Sequence, residues 1–156
     1  MKARAVGLFL AAAAAAAGVA AGILFSRGGP APGTRVSFVA SGVVIGLLSV
    51  VPALAAMCVL LRPGPRRRWF AAACLGAVTT LEGSYGVWAF GHGREDSLLA
   101  SYAWSAVGED GFADFYTWAD RIGAASWVLF LSGLGLALLS TAMFLRVSRR
   151  RPLMEL

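Results

Sequence analysis

One acidic residue lies deep within an apolar stretch of this sequence and is its first candidate for chemistry. Glu82 comes thirteen residues after Trp69 and eight before Phe90, and no other charged residue lies between those two aromatics. At about 1.5 Å per helical residue, Glu82 lies about 12 Å from the Phe90 end. An ionisable residue at that depth usually faces a bundle interior or a wet cavity, so it predicts a functional site.

Three side chains are candidate neighbours of Glu82. Thr79 and Tyr85 lie three residues before and after it on the same helix, and Ser132 comes at a similar depth in the next apolar stretch. A protonated Glu82 bonded to one of these hydroxyls would lock the structure, whereas an alternating one would carry a proton or a cation. Both interpretations stay open at this point.

The two cysteines lie near the same end of successive apolar stretches. Cys58 is three residues before the end of one stretch, and Cys74 is five residues after the start of the next. We expect two reduced thiols, buried as small hydrophobic side chains, because this end faces a reducing compartment. The longest connection has no cysteine, which argues against a membrane thiol oxidase.

Metal and cofactor chemistry finds little support. His92 is the single histidine, which excludes bis-histidine haem ligation and a tetrahedral zinc set. Glu109, Asp110 and Asp114 lack the spacing of a calcium loop, and no phosphate-binding loop, dinucleotide fingerprint or nucleophile elbow is present. We therefore expect no metal, no cofactor and no enzymatic activity.

The elements that position these residues follow from the composition. Of 156 residues, 58% are hydrophobic and only 14% are charged, which is not typical of a soluble domain. Four apolar blocks of 21 to 25 residues account for this: 5–25, 37–61, 69–90 and 125–145. A helix of about 20 residues crosses a bilayer. The sequence predicts an all-α, polytopic membrane protein, a four-transmembrane-helix up-down bundle forming one integral domain over residues 1–156.

The first block has a second interpretation. Lys2 and Arg4 precede an Ala-rich stretch, and residues 1–21 could form a cleaved secretory signal peptide. The 21 uncharged residues between Arg4 and Ser26 exceed a usual signal core, which favours a retained helix.

The basic residues predict the orientation. Ten of them lie in the N-terminal tail, the second connection and the tail 146–156, against four in the first and third connections. By the positive-inside rule, both termini are cytoplasmic and the connection 91–123 is extracytoplasmic. The abundance of Ala, Gly and Arg is typical of a GC-rich bacterial genome, so we expect the membrane to be a bacterial plasma membrane. Topology thus explains a pI of 10.4 without a nucleic-acid partner.

Two runs of arginine are candidates for binding anionic lipid headgroups, at about 1 kcal/mol per residue near the surface. They are Arg66, Arg67, Arg68, Arg149, Arg150 and Arg151.

The connection 91–123 differs from the rest of the chain, with a net charge of −4 and several aromatic residues. Its spacing predicts two short amphipathic helices separated near residues 108–111, lying on the membrane or over the bundle. The candidate partner surface on the second helix consists of Phe112, Phe115, Tyr116 and Trp118.

Together these features predict a non-enzymatic accessory or interaction subunit that docks a protein partner, or a second copy of itself, through the outer aromatic and acidic loop. The alternative is a small proton- or cation-coupled transporter or channel built around Glu82.

Overall fold

The protein is helical throughout the part that the computed structural model describes. That part comprises the backbone of residues 2–27, 35–62, 65–91 and 112–149, with side chains described for 2–27, 40–62, 66–90 and 119–149. It contains four helices: α1 (Lys2–Arg27), α2 (Arg35–Leu61), α3 (Pro65–Gly91) and α4 (Phe112–Arg149). The all-α prediction is confirmed for these ranges.

Three of the helices are long and apolar enough to cross a membrane. The qualifying segments are Lys2–Arg27, Ala40–Leu61 and Ala119–Arg149. The fourth helix, α3, has 27 residues and is long enough, but it is not among the three. Its second half carries Thr79, Thr80, Glu82, Ser84 and Tyr85, which lower its mean hydropathy.

Helix α4 begins thirteen residues before the fourth apolar block. It has 38 residues, so it is about 57 Å long, well beyond the roughly 30 Å of a hydrocarbon core. The second amphipathic helix expected in the connection 91–123 is therefore continuous with α4. A lone Gly123 does not end the helix, because glycine costs only about 1 kcal/mol in a helix interior and no proline follows it there.

The helices pack antiparallel to their neighbours. Gly7, near the start of α1, lies against Leu60, near the end of α2, and also faces Leu139 of α4. Gly76 of α3 lies against Ala137 of α4. Among the described helices, the most extensive contact joins α3 to α4, followed by the contact of α1 with α2.

The interior of the bundle is rich in small residues, and many large apolar residues lie outside. Fully buried positions include Ala11, Ala14 and Ala53, whereas the Phe9 side chain is 71% exposed and Leu47 is 58% exposed. Small interior residues let helix backbones approach closely, as they do in membrane bundles. Each described helix exposes large apolar side chains, which is typical of a surface that contacts lipid or a partner.

Both cysteines are free and exposed on helix surfaces. The expectation of reduced thiols agrees with this, but the expectation that they would be buried was wrong. Their depth along the helices could be counted from the sequence, but the rotation of each helix about its axis depends on which small-residue face meets a neighbour.

Helices α1 and α2 meet at Gly22 and Gly46, and of these two only Gly22 leaves no room for a side chain. A Cβ atom added to Gly22 would lie 2.8 Å from the Cα of Gly46 and 2.9 Å from the carbonyl oxygen of Gly42. A Cβ added to Gly46 would instead lie 3.5 Å from the Cα of Gly22, an ordinary contact.

Substituting these two glycines tests the packing of α1 on α2. We expect Gly22→Ala to lower the free energy of unfolding by about 1–3 kcal/mol, because backbone atoms must move apart. The same change at Gly46 should stay within about 0.5 kcal/mol. SDS titration of the purified protein in mixed micelles measures both. Equal losses in the two variants would contradict this packing.

Candidate functional site

The candidate site lies at the middle of the contact between α3 and α4. Phe130 of α4 packs on Gly83, and Gly133 packs on the peptide that joins Thr79 to Thr80. Glu82 and Ser132 therefore lie at the same level of the bundle, on facing helices. Ser132 is buried and Glu82 is half-buried.

The Glu82 carboxyl group has an unpaired buried atom. Its Oε2 atom is shielded from solvent and has no hydrogen-bond partner among the described residues. Removing a carboxyl oxygen from water without a partner costs free energy, and more so if the group is ionised. Such a group persists in a fold when a ligand, an ion or water satisfies it, or when it has a function that repays the cost.

The hydroxyl groups closest to Glu82 along the helix bind elsewhere. The Oγ1 atom of Thr79 donates to the carbonyl oxygen of Leu75 at 3.0 Å, and that of Thr80 donates to the carbonyl oxygen of Gly76 at 2.7 Å. These are bonds within α3 itself. The lock between Glu82 and Thr79 considered from the sequence is therefore not formed.

Tyr85 lies on the outer surface of the bundle. Its side chain is 69% exposed, and its ring lies 5.9 Å from that of Trp88. A position three residues on is rotated by about 60° around the helix axis, which takes Tyr85 past the edge of the contact with α4. The structure brings Thr79 and Ser132 to the level of Glu82 but turns Tyr85 away.

A second feature of the same contact is an aromatic groove toward the Gly91 end of α3. It has a volume of about 260 Å³ and is lined by Ser84, Val87, Trp88, Trp127 and Phe130. Trp88 is 64% exposed and Trp127 is 44% exposed. The Oγ atom of Ser84 donates to the carbonyl oxygen of Leu81 at 2.8 Å, so its donor is satisfied within the helix. The groove is therefore an exposed surface of mainly apolar and aromatic side chains.

The outer aromatic candidates begin helix α4. Phe112, Phe115, Tyr116 and Trp118 belong to its first two turns, but their side chains lie outside the described residues. Residues 92–111 of the outer connection, His92, Glu109 and Asp110 among them, also lie outside the described part.

At the opposite end of the bundle, basic side chains rest on aromatic rings. The guanidinium of Arg66 lies 5.7 Å from the ring centre of Phe144, and that of Arg68 lies 5.6 Å from the ring of Trp69. Arg67 and Arg149 are exposed, and Arg150 and Arg151 lie outside the described residues.

One structural contact at this end was not predicted from the sequence pattern. The Nη2 atom of Arg4 donates to the carbonyl oxygen of Leu61 at 2.7 Å, so it caps the end of α2 from the start of α1. From the sequence, Arg4 was interpreted only as a signal for membrane orientation. The first apolar block starts at the same membrane level at which the second block ends. That match could have identified this bond from the sequence.

Comparison with protein-family models, with curated proteins and with solved structures finds no match for this chain. The site is therefore interpreted from its own geometry. Within the described ranges, no three His, Cys, Asp or Glu side chains come together to hold a metal ion.

Proposed function

We propose that this chain is a four-span integral membrane protein of a bacterial plasma membrane, with both termini in the cytoplasm. Support for a crossing by α3 comes from its length of 27 residues and its antiparallel packing on α4. Its polar Thr79 is buried, while its exposed large side chains include Phe70, Val78 and Leu81. Lipid would thus contact these apolar side chains of α3, and Thr79 would lie within the bundle.

We further propose that the protein is a non-enzymatic interaction subunit. The observation that carries this proposal is the exposed aromatic groove between α3 and α4. Tryptophans supply rigid contact area and are the residues most often responsible for binding energy at interfaces. The groove lies near the end of the bundle where α3 ends, and α4 extends beyond the groove to its first residue, Phe112.

The occupant that fits this surface is the membrane helix of a partner protein with a basic extracytoplasmic segment. The groove would take an apolar helix face, and the outer connection carries a net charge of −4 for the partner's basic residues. A second copy of this chain fits less well, because its own outer connection repeats the same negative charge.

In-cell photo-crosslinking tests the interaction. With a photoreactive amino acid at Trp127, we expect one defined crosslinked membrane protein with a basic outer segment. Replacing Phe112, Phe115 and Tyr116 with Ser should reduce that product at least about tenfold. A photoreactive group at Leu48, exposed on α2, is the matched control and should give no such product. A product of twice the chain's mass would identify self-association, and equal products at both positions would contradict the proposed surface.

A second candidate function is proton or cation transport through Glu82. The specific observation in its favour is the buried and unpaired Oε2 atom, since the neighbouring threonine hydroxyls bind their own helix backbone. A carboxyl group in this state can take up and release a proton or a small cation without breaking a structural bond.

A further inference from the structure

The end of the bundle where α1 and α3 begin and α2 and α4 end is strongly basic. Its described cationic side chains are Lys2, Arg4, Arg62, Arg66, Arg67, Arg68, Arg146 and Arg149. The acids with described side chains are Glu82 and Asp120, and neither lies at this end. Membrane orientation explains exposed cations here, because they need only to remain in the cytoplasm.

Two of these arginines differ from the others. Arg4 and Arg68 are half-buried, and the Nε atom of each is shielded from solvent without a hydrogen-bond partner in the described part of the chain. An unpaired buried donor is destabilising, and more so when the group carries a charge. Arginines that served only to orient the chain in the membrane would have their side chains in water, as Arg62 and Arg67 do.

Both arginines are next in sequence to residues of the same apolar cluster. Its buried centre includes Leu60 and Trp69, and Ala3 packs against it from the start of α1. Arg4 follows Ala3 and reaches the carbonyl oxygen of Leu61, while Arg68 precedes Trp69 and lies over its ring. Arg4 is thus bonded to α2, and Arg68 lies over a ring of its own helix, each next in sequence to a residue of one apolar cluster.

We propose that Arg4 and Arg68 bind one phosphate-bearing anion at the cytoplasmic end of the bundle. A planar guanidinium offers paired donors that match phosphate oxygens, and charge-assisted bonds of this kind are strong. The anion is the headgroup of an anionic phospholipid or a soluble phosphate ester at the same level. The lipid source rests on the proposed orientation, in which this end meets the cytoplasmic headgroups.

Native mass spectrometry of the detergent-solubilised protein tests this site. The probes are a phosphatidylglycerol and a phosphatidylcholine with identical acyl chains, each titrated alone and then with added glycerol 3-phosphate. We expect one phosphatidylglycerol to remain bound preferentially. Exchanging Arg4 and Arg68 for Gln should weaken it about tenfold, or about 1.4 kcal/mol. The matched control exchanges the exposed Arg62 and Arg146 for Gln, removes the same charge, and should change binding less than about threefold.

The outcomes distinguish a lipid from a soluble ester, and they distinguish anion binding from membrane integration. Displacement of lipid by millimolar glycerol 3-phosphate assigns the site to a soluble ester, and resistance to it assigns the site to lipid. Equal weakening by both double variants, or no preference for phosphatidylglycerol, would overturn the proposal. Exchanging Arg4 and Arg68 for Lys keeps the charge if the Gln variant fails to insert, and it should still weaken binding. Resistance to alkaline extraction, checked for each variant, shows membrane integration independently of lipid binding.

Discussion

Gly83→Ala is expected to separate α3 from α4 and to destabilise the whole bundle. A Cβ atom at this position would lie 2.5 Å from the Cα and 2.9 Å from the Cβ of Phe130. Backbone atoms cannot rotate away as the end of a side chain can, so one helix must shift along its most extensive contact. Because overpacking of a core typically costs about 1–3 kcal/mol, we expect a loss at or above the upper end of that range.

The matched control for this variant is Gly135→Ala, which lies in α4 and faces α1. A Cβ there would meet only the terminal methyl groups of Leu10, at 3.4 Å, and these can move. We expect its unfolding midpoint in an SDS titration to stay near that of the unmodified protein. If Gly83→Ala proved as stable as Gly135→Ala, the close approach of α3 and α4 would be wrong.

Glu82→Gln is expected to abolish proton or cation flux while leaving the bundle folded, if the transport candidate is correct. Glutamine has nearly the same shape but cannot release a proton or neutralise a cation. It also removes the cost of an unpaired ionisable group, so stability should be preserved or raised. Purified protein in liposomes with a pH-sensitive dye inside measures the flux, which should fall at least about tenfold.

Two comparisons make the Glu82 result specific. Glu82→Asp keeps a carboxyl group and should retain part of the flux, while Asp120→Asn removes an exposed acid of α4 and should retain nearly all of it. Unchanged flux in Glu82→Gln would rule out a carrier role. Absence of flux in the unmodified protein would leave the interaction subunit as the proposed function.

Much of the fold could be predicted because the hydrophobic effect acts on long stretches of sequence. The four apolar blocks each fall within one helix, since lipid-compatible residues and helical backbone bonding coincide. The helix ends were less predictable, because hydropathy finds the apolar part of a helix and not its polar extension. Residues 112–122 therefore appeared as a separate amphipathic helix, although they continue into α4.

The site was predictable in depth but not in orientation. Counting residues brought Glu82 and Ser132 to one level, and the contact of Gly133 with Thr79 and Thr80 agrees with that level. Which side of α3 Tyr85 occupies depends on how glycines fit against α4, and no single-sequence pattern encodes that fit. Arg4 illustrates the same limit, because its acceptor is the carbonyl oxygen of Leu61, 57 residues away.

The central claim is that α3 crosses the membrane and carries Glu82 within it. Single cysteines at Arg67, His92 and Arg149, in a chain with Cys58 and Cys74 changed to Ala, test this with a membrane-impermeant maleimide. The four-span arrangement predicts that His92→Cys is labelled in intact cells, whereas Arg67→Cys and Arg149→Cys are labelled only after permeabilisation. Labelling of Arg149→Cys but not His92→Cys in intact cells would show three crossings and contradict the account.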